Sequence, residues 1–214
     1  MNGRGPSQSH ARARGRWRAV VVAGAVTAAA CGGSQSAPTA PASTALRADV
    51  ADPVGDTLSD PRLPVAPDLV RAMATVENGS LTLVVSFAPG TFDRQTTRVA
   101  VLLDTDQNPA TGIRQGTALG ADFGLDLFAP NNQTTITKAD EAGCAARQSC
   151  FVNSGSSALT VAPDAIQAVV PLSALGNTSG RMTFVVNSYV IVAALTPAPF
   201  DWLPDTNLAP ARTQ

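Results

Sequence analysis

The chain has 214 residues, 44% of them hydrophobic and 14% charged, which suits one folded domain behind a processed leader rather than a disordered polymer. Its formal net charge of −1 hides an asymmetry: five arginines (Arg4, Arg12, Arg14, Arg16, Arg18) come first and all sixteen acids follow, so the remainder, with ten bases, carries −6. An acidic domain repels phosphate backbones, which argues against nucleic acid as a partner; the sole histidine, His10, also falls in the leader, which leaves no imidazole for a triad, a general base or a zinc site.

Residues 1–18 are basic and polar, and Ala19 to Ala30 is an uncharged run of mostly small apolar residues. Twelve residues are too few to span a bilayer as a helix, which takes about 20. A basic start, a short apolar stretch and small residues before a cut read as a signal peptide over residues 1–30. The arginines are not adjacent, so a twin-arginine signal is not supported. Ala28-Ala29-Ala30 suits ordinary signal peptidase and a secreted product. Ala28-Ala29-Ala30-Cys31 resembles a bacterial lipobox, with Ala28 where leucine is commonest, and implies lipidation of Cys31. The expected location is then the extracytoplasmic side of the cell envelope, with the membrane as partner through the anchor. Residues 31–45 hold that cysteine and a tether, GGSQSAPTAPAST, without core-forming residues. Cys144 and Cys150 stand six apart, and an oxidising compartment favours a disulfide between them, with two unpaired thiols as the alternative.

Residues 46–208 show no sustained helical period. Short apolar runs broken by turn residues predict an all-β fold, a single antiparallel β-sandwich. A short strand is expected at Leu46–Val50. Leu69–Glu77 and Ser80–Ala88 flank Asn78-Gly79, the strongest short hairpin signal, since both turn positions need positive φ. Further strands are expected at Arg98–Asp104, Ala121–Ala129, Gln133–Ala139, Ala158–Ala162, Ala165–Val170 and Arg181–Leu195, the last as a central strand covered on both faces. Pro171–Leu175 reads as one helical turn closed by Gly176, and residues 209–214 as a loose tail.

The most chemically specific stretch is VAVLLDTDQNPATG, a buried-type run that delivers the chain into a loop carrying Asp104, Asp106 and Asn108 at alternate positions. Calcium takes six to eight oxygens, and a tight loop makes such alternate side chains converge on one ion. Pro109 and Gly112 enforce the turn. This is not an EF-hand, because position 6 is Pro109 rather than glycine and position 12 is Gln115 rather than glutamate. Asp122, at the start of GADFGLDLF, is a further candidate ligand, and Asp126 shares its face. The alternative is a solvated Asx-type turn with no ion. A second acidic pattern brackets the domain, DPVGD (Asp52, Asp56) and FDWLPD (Asp201, Asp205). Two polar turns are the preferred reading of it, a second cation site the other.

These stretches together, from Asp52 to Asp205, resemble bacterial extracytoplasmic β-sandwiches similar to family 9 carbohydrate-binding modules and DOMON-like domains. The resemblance implies an immunoglobulin-like or jelly-roll sandwich, calcium, and sugar or cofactor binding. Sugar-binding members of such folds usually stack their ligand on paired aromatics. Here Trp202 is the only tryptophan after the leader and Tyr189 the only tyrosine, so Trp202 is the candidate ligand platform, or else a rim residue packed on the sandwich. Haem-binding relatives need Met or His ligands; Met73 and Met182 stand at positions that read as core, so haem is not expected.

The expected function is therefore a lipid-anchored binding module, stabilised by calcium, for a glycan or another envelope component. A structural or assembly lipoprotein that contacts an envelope protein is the alternative. An enzyme is not expected: without histidine or a free thiol, the realistic chemistry is a carboxylate pair on a glycosidic bond, and Asp122 with Asp126 is not singled out for it.

Overall fold

Residues 45–58, 64–115, 118–191, 200–205 and 209–214 are described by a computed structural model. The expected signal peptide, Cys31 and the expected tether up to residue 44 lie outside the described residues.

Thirteen strands follow in order: β1 Leu46–Ala51, β2 Leu69–Glu77, β3 Ser80–Phe87, β4 Thr97–Asp104, β5 Ile113–Gln115, β6 Leu119–Ala121, β7 Phe123–Phe128, β8 Gln133–Ala139, β9 Phe151–Ala162, β10 Ala165–Pro171, β11 Thr183–Val190, β12 Phe200–Leu203 and β13 Ala211–Arg212. A short helix, α1 (Glu141–Ala145), precedes β9, and 3-10 turns occupy Ala129–Asn131 and Leu172–Leu175. Every strand pairing is antiparallel. The all-β reading is correct.

One layer runs β1-β2-β3-β10-β9 and the other β9-β8-β7-β4-β11-β12, with β13 also on β11 and β5-β6 as a separate hairpin. The long β9 belongs to both. Its first part pairs with β8, and Leu159–Ala162 pair with β10. Opposite this corner β1 meets the residues that follow β13. Arg47 and Gln214 exchange two backbone hydrogen bonds of 3.0 Å, and Leu58 bridges Phe200. The sandwich is thereby nearly closed into a barrel.

The layers face each other across a single core. Leu81, Leu83, Val85 and Phe87 of β3 point inward, as do Val99, Val101 and Leu103 of β4 and Phe123, Leu125 and Leu127 of β7. This is the period-2 alternation of a sheet with one buried face, and each such side chain contributes roughly 1.5–3 kcal/mol by leaving water. The Asn78-Gly79 turn has φ of 50° and 74°, as the hairpin requires. Gly176 closes the second 3-10 turn at φ 74°. Cys144 and Cys150 are disulfide-bonded, just after the Asp140 carboxylate caps α1 by accepting from Gly143 N–H at 2.9 Å.

Several expectations are corrected. The final residues are not a loose tail: Ala211 and Thr213 are buried, Ala211–Arg212 form β13, and the Thr213 hydroxyl accepts from Met182 N–H at 3.0 Å. Alternation of small and polar residues on two inward positions is enough to seat them. β9 begins seven residues before the expected Ala158, because its partner β8 supplies the ladder that its own Asn153–Ser157 do not advertise. The strand expected at Ala121–Ala129 breaks at Asp122 into β6 and β7. β11 ends at Val190, and its outward Val185, Asn187 and Tyr189 are only half-buried, so it is not covered on both faces.

Candidate metal centre

β4 carries Asp104 to the end of the layer, where it is 1% exposed. The chain then turns over the β6 backbone. A Cβ at Gly120 would stand 2.0 Å from Thr111 O, and one at Gly112, which has φ 69°, would stand 2.5 Å from Ala121 O. Only glycine permits this approach, and it folds the loop back on itself. One carboxylate oxygen each from Asp104, Asp106 and Asp122 falls within 4.8 Å of the others. The strand break at Asp122 is what turns that residue to the loop.

Asn108 takes a different place in this arrangement. Its backbone N–H donates to Asp104 Oδ1 (3.1 Å) and Asp106 Oδ1 (2.8 Å), while its own side-chain oxygen accepts from Ala110 N–H at 3.2 Å. Asn108 thus gathers the two aspartates through its backbone and turns the loop with its side chain. Asp122 Oδ2 accepts from both Thr105 N–H (2.8 Å) and the Thr105 hydroxyl (2.9 Å), and its N–H donates to Leu103 O at 2.8 Å. The end of β4 is therefore clasped directly to the start of β7. Two neighbours could not be read from spacing. Thr178 donates its hydroxyl to Thr105 O at 2.9 Å, and Glu141 of α1 accepts from Gly112 N–H at 3.1 Å. Both come from distant segments, so no local motif announces them.

Burial, and then Asp106 beside it, push the Asp104 carboxyl above the usual range. Partial burial acts the same way on Asp106, but the Asn108 N–H and the Thr111 hydroxyl, at 3.0 Å from Oδ2, outweigh it and hold that carboxyl low. Three hard oxygen donors with no nitrogen or sulfur among them suit calcium or magnesium rather than a transition metal. Asp126 is not part of the group. It forms an ion pair with Arg98 on the outer face of β7, so it and Asp122 have separate partners.

The bracketing acids also meet. Leu58 bridges Phe200, which brings the turn after β1 against β12, and one oxygen each of Asp52, Asp56 and Asp201 falls within 4.8 Å of the others. Asp201, 3% exposed, accepts from Leu69 N–H (2.6 Å) and Trp202 N–H (2.8 Å). Asp68, 4% exposed, accepts from Gly55 N–H at 2.9 Å. Two ionised carboxylates at such a separation repel by about 3–4 kcal/mol at an effective dielectric of ~20. Burial, then the charges of Asp201, Asp56, Asp205 and Asp68, push Asp52 up to about 7. Burial, against the two N–H donors and with Asp56 and Asp68 adding to it, pushes Asp201 up to about 6. Among the described residues the ion pairs are Arg71–Asp49 and Arg98–Asp126, and neither reaches this cluster.

Elsewhere, Trp202 lies half-buried on the outer face of β12. Met182 is wholly buried; Met73 is half-buried on the outer face of β2 rather than in the core. An open depression of about 320 Å³ against Phe92, Arg94, Val161, Ala162 and Pro163 has a single charged side chain and none of the clustered acids. Comparison with protein-family models and with curated protein sequences finds no match.

Two outcomes are expected. Calcium at roughly 100 times its dissociation constant stabilises by about 2.7 kcal/mol, a rise in Tm of about 5–10 °C for a domain of this size. Asp104→Asn with Asp106→Asn should shrink that rise in a thermal scan, and an identical rise in the variant would remove the ion from this loop. In chelator, the raised folded-state values of Asp52 and Asp201 mean that the native state holds protons the unfolded chain releases. Their contribution is complete below the unfolded carboxylate range and is lost as pH rises through about 6 to 7. Tm in chelator should therefore fall between pH 5 and 8 more steeply for the parent chain than for Asp52→Asn, as a pH series of melts would show.

Proposed function

We propose that the chain is a lipid-anchored, extracytoplasmic β-sandwich binding module, stabilised by calcium, whose ligand is a glycan or another envelope component bearing sugar-like faces. The observation that carries this reading is the outer face of the layer that contains β4, β7, β11 and β12. Strand register sets Trp202 beside Asn187, Ala100 and Asp126 in one row. The next row is Phe200, Tyr189, Arg98 and Phe128. All of these side chains are half-buried, so they form a surface rather than a core.

The chemistry of the face matches a carbohydrate. Flat aromatic rings cover the apolar C–H side of a sugar ring, and planar groups such as guanidinium, carboxylate and amide take its hydroxyls in pairs. Arg98 stands 5.5 Å over the Phe128 ring and pairs with Asp126, which fixes both planar groups in the sheet. Asn187 donates to Asp201 O at 2.7 Å, which orients its amide beside Trp202. A purely apolar protein-docking patch would not interleave an ion pair and an amide with its aromatics.

The envelope location rests on the leader and on Cys31, and the disulfide accords with an oxidising compartment. The calcium part rests on the Asp104, Asp106 and Asp122 group.

Trp202→Ala should abolish binding on a glycan array of bacterial envelope and plant cell-wall sugars while leaving the melting temperature within a few degrees. Absence of any signal from the parent chain would favour the structural or assembly reading instead. Cys31→Ser should move the protein from the membrane fraction to the soluble fraction on cell fractionation, and persistent membrane association would overturn the anchor at this residue.

A further inference from the structure

We propose that Asp52, Asp56 and Asp201, with the buried carboxylate of Asp68 behind them, form a second divalent-cation site that staples the turn after β1 to β12. The site is independent of the Asp104 loop and of the aromatic face.

Clustering of acids is not by itself a reason to place an ion. The distinguishing feature is two buried oxygens without partners. Asp68 is 4% exposed, and its Oδ1 has no hydrogen-bond partner among the described residues. Its other oxygen accepts from Gly55 N–H, so the carboxylate lies against the turn that carries Asp52 and Asp56. Asp52 Oδ2 is likewise buried and unpartnered among the described residues. A buried carboxylate oxygen left without a donor or a cation is costly, and native structures rarely tolerate one. Here two occur in one cluster, beside a third carboxylate that is 3% exposed.

The number of oxygens to be satisfied favours an ion over a shared proton. A proton bridges two oxygens at about 2.5–2.7 Å and satisfies only that pair. A calcium ion holds each oxygen at about 2.3–2.6 Å, so its ligands fall within roughly 5 Å of one another, and one ion satisfies several at once. Asp52, Asp56 and Asp201 each bring one oxygen within 4.8 Å of the others, three carboxylates that one shared proton does not satisfy. The polypeptide also prepares the ligands. Leu69 N–H and Trp202 N–H fix both oxygens of Asp201, and Gly55 N–H fixes Asp68. Asp56 is exposed and supplies the flexible ligand through which an ion enters. Only oxygen donors are present, which suits calcium or magnesium.

The test is the calcium stoichiometry of the full chain, measured by equilibrium dialysis with metal analysis and by calorimetric titration with calcium alone. The expected result is two ions per chain, with Asp104→Asn/Asp106→Asn and Asp52→Asn/Asp56→Asn each removing a different one. Asp56 makes no hydrogen bond among those described and is exposed, so Asp56→Asn alone should leave the fold intact while weakening one site about tenfold through loss of ligand charge. Unchanged stoichiometry and affinity in Asp52→Asn/Asp56→Asn and in Asp56→Asn would overturn the proposal. So would one ion per chain that only Asp104→Asn/Asp106→Asn removes. One ion per chain that only Asp52→Asn/Asp56→Asn removes would uphold this site and overturn the first.

Discussion

The hydrogen bond from Leu69 N–H to Asp201 Oδ2, 2.6 Å long and out of solvent, ties the two layers together beside the Arg47–Gln214 and Leu58–Phe200 backbone contacts. β2 and β12 belong to different layers, and at this corner no strand ladder joins them. A carboxylate does the work instead, accepting from the first residue of β2 with one oxygen and from Trp202 of its own strand with the other. The Ser188 hydroxyl donates to Pro67 O nearby, at 2.5 Å, and fixes the approach of the chain to β2 from the other side. A charged acceptor makes stronger bonds to N–H than a carbonyl does, which suits a seam that a ladder cannot cross.

That choice imposes an electrostatic cost on the surroundings. A buried acid at the seam brings Asp68 and the 52–56 turn with it, because the same corner is where the chain enters β2 and leaves β1. Asp52 and Asp201 are raised by burial and by neighbouring carboxylates, and the ion pairs among the described residues, Arg71–Asp49 and Arg98–Asp126, do not involve them. The Asp104 loop answers a similar demand differently. It surrounds its acids with N–H and hydroxyl donors from Asn108, Thr105 and Thr111, so the loop holds its shape through its own hydrogen bonds. The seam cluster has fewer donors than acceptors.

Much of this was legible in the sequence, and the reasons differ from place to place. The Asn78-Gly79 hairpin and the alternation in Leu81, Leu83, Val85 and Phe87 are local signals, and local signals set β2 and β3 correctly. The loop after Leu103 is legible for the same reason: its aspartates stand two apart and a glycine follows. β9 was under-read because Asn153, Ser154, Ser156 and Ser157 carry no apolar alternation; its place is decided by β8 and β10 on either side. β12 and β13 are too short to announce themselves, at four and two residues. Asp68 carries no local signal, since what matters about it is which atoms lack a partner, and that depends on how the turn after β1 packs against the start of β2 and β12. Asn108 shows the converse: it stands where a side-chain ligand is expected, yet its backbone rather than its side chain engages the aspartates.

β9 bends from one layer into the other, so its amides are shared between β8 and β10. Loss of either layer would leave half of that strand without partners and open the common core beneath it. The two sheets are therefore not separable folding units. Their unfolding is expected to be one cooperative event. The same crease removes two sheet edges on that side of the molecule, so a neighbouring chain finds no strand there to extend.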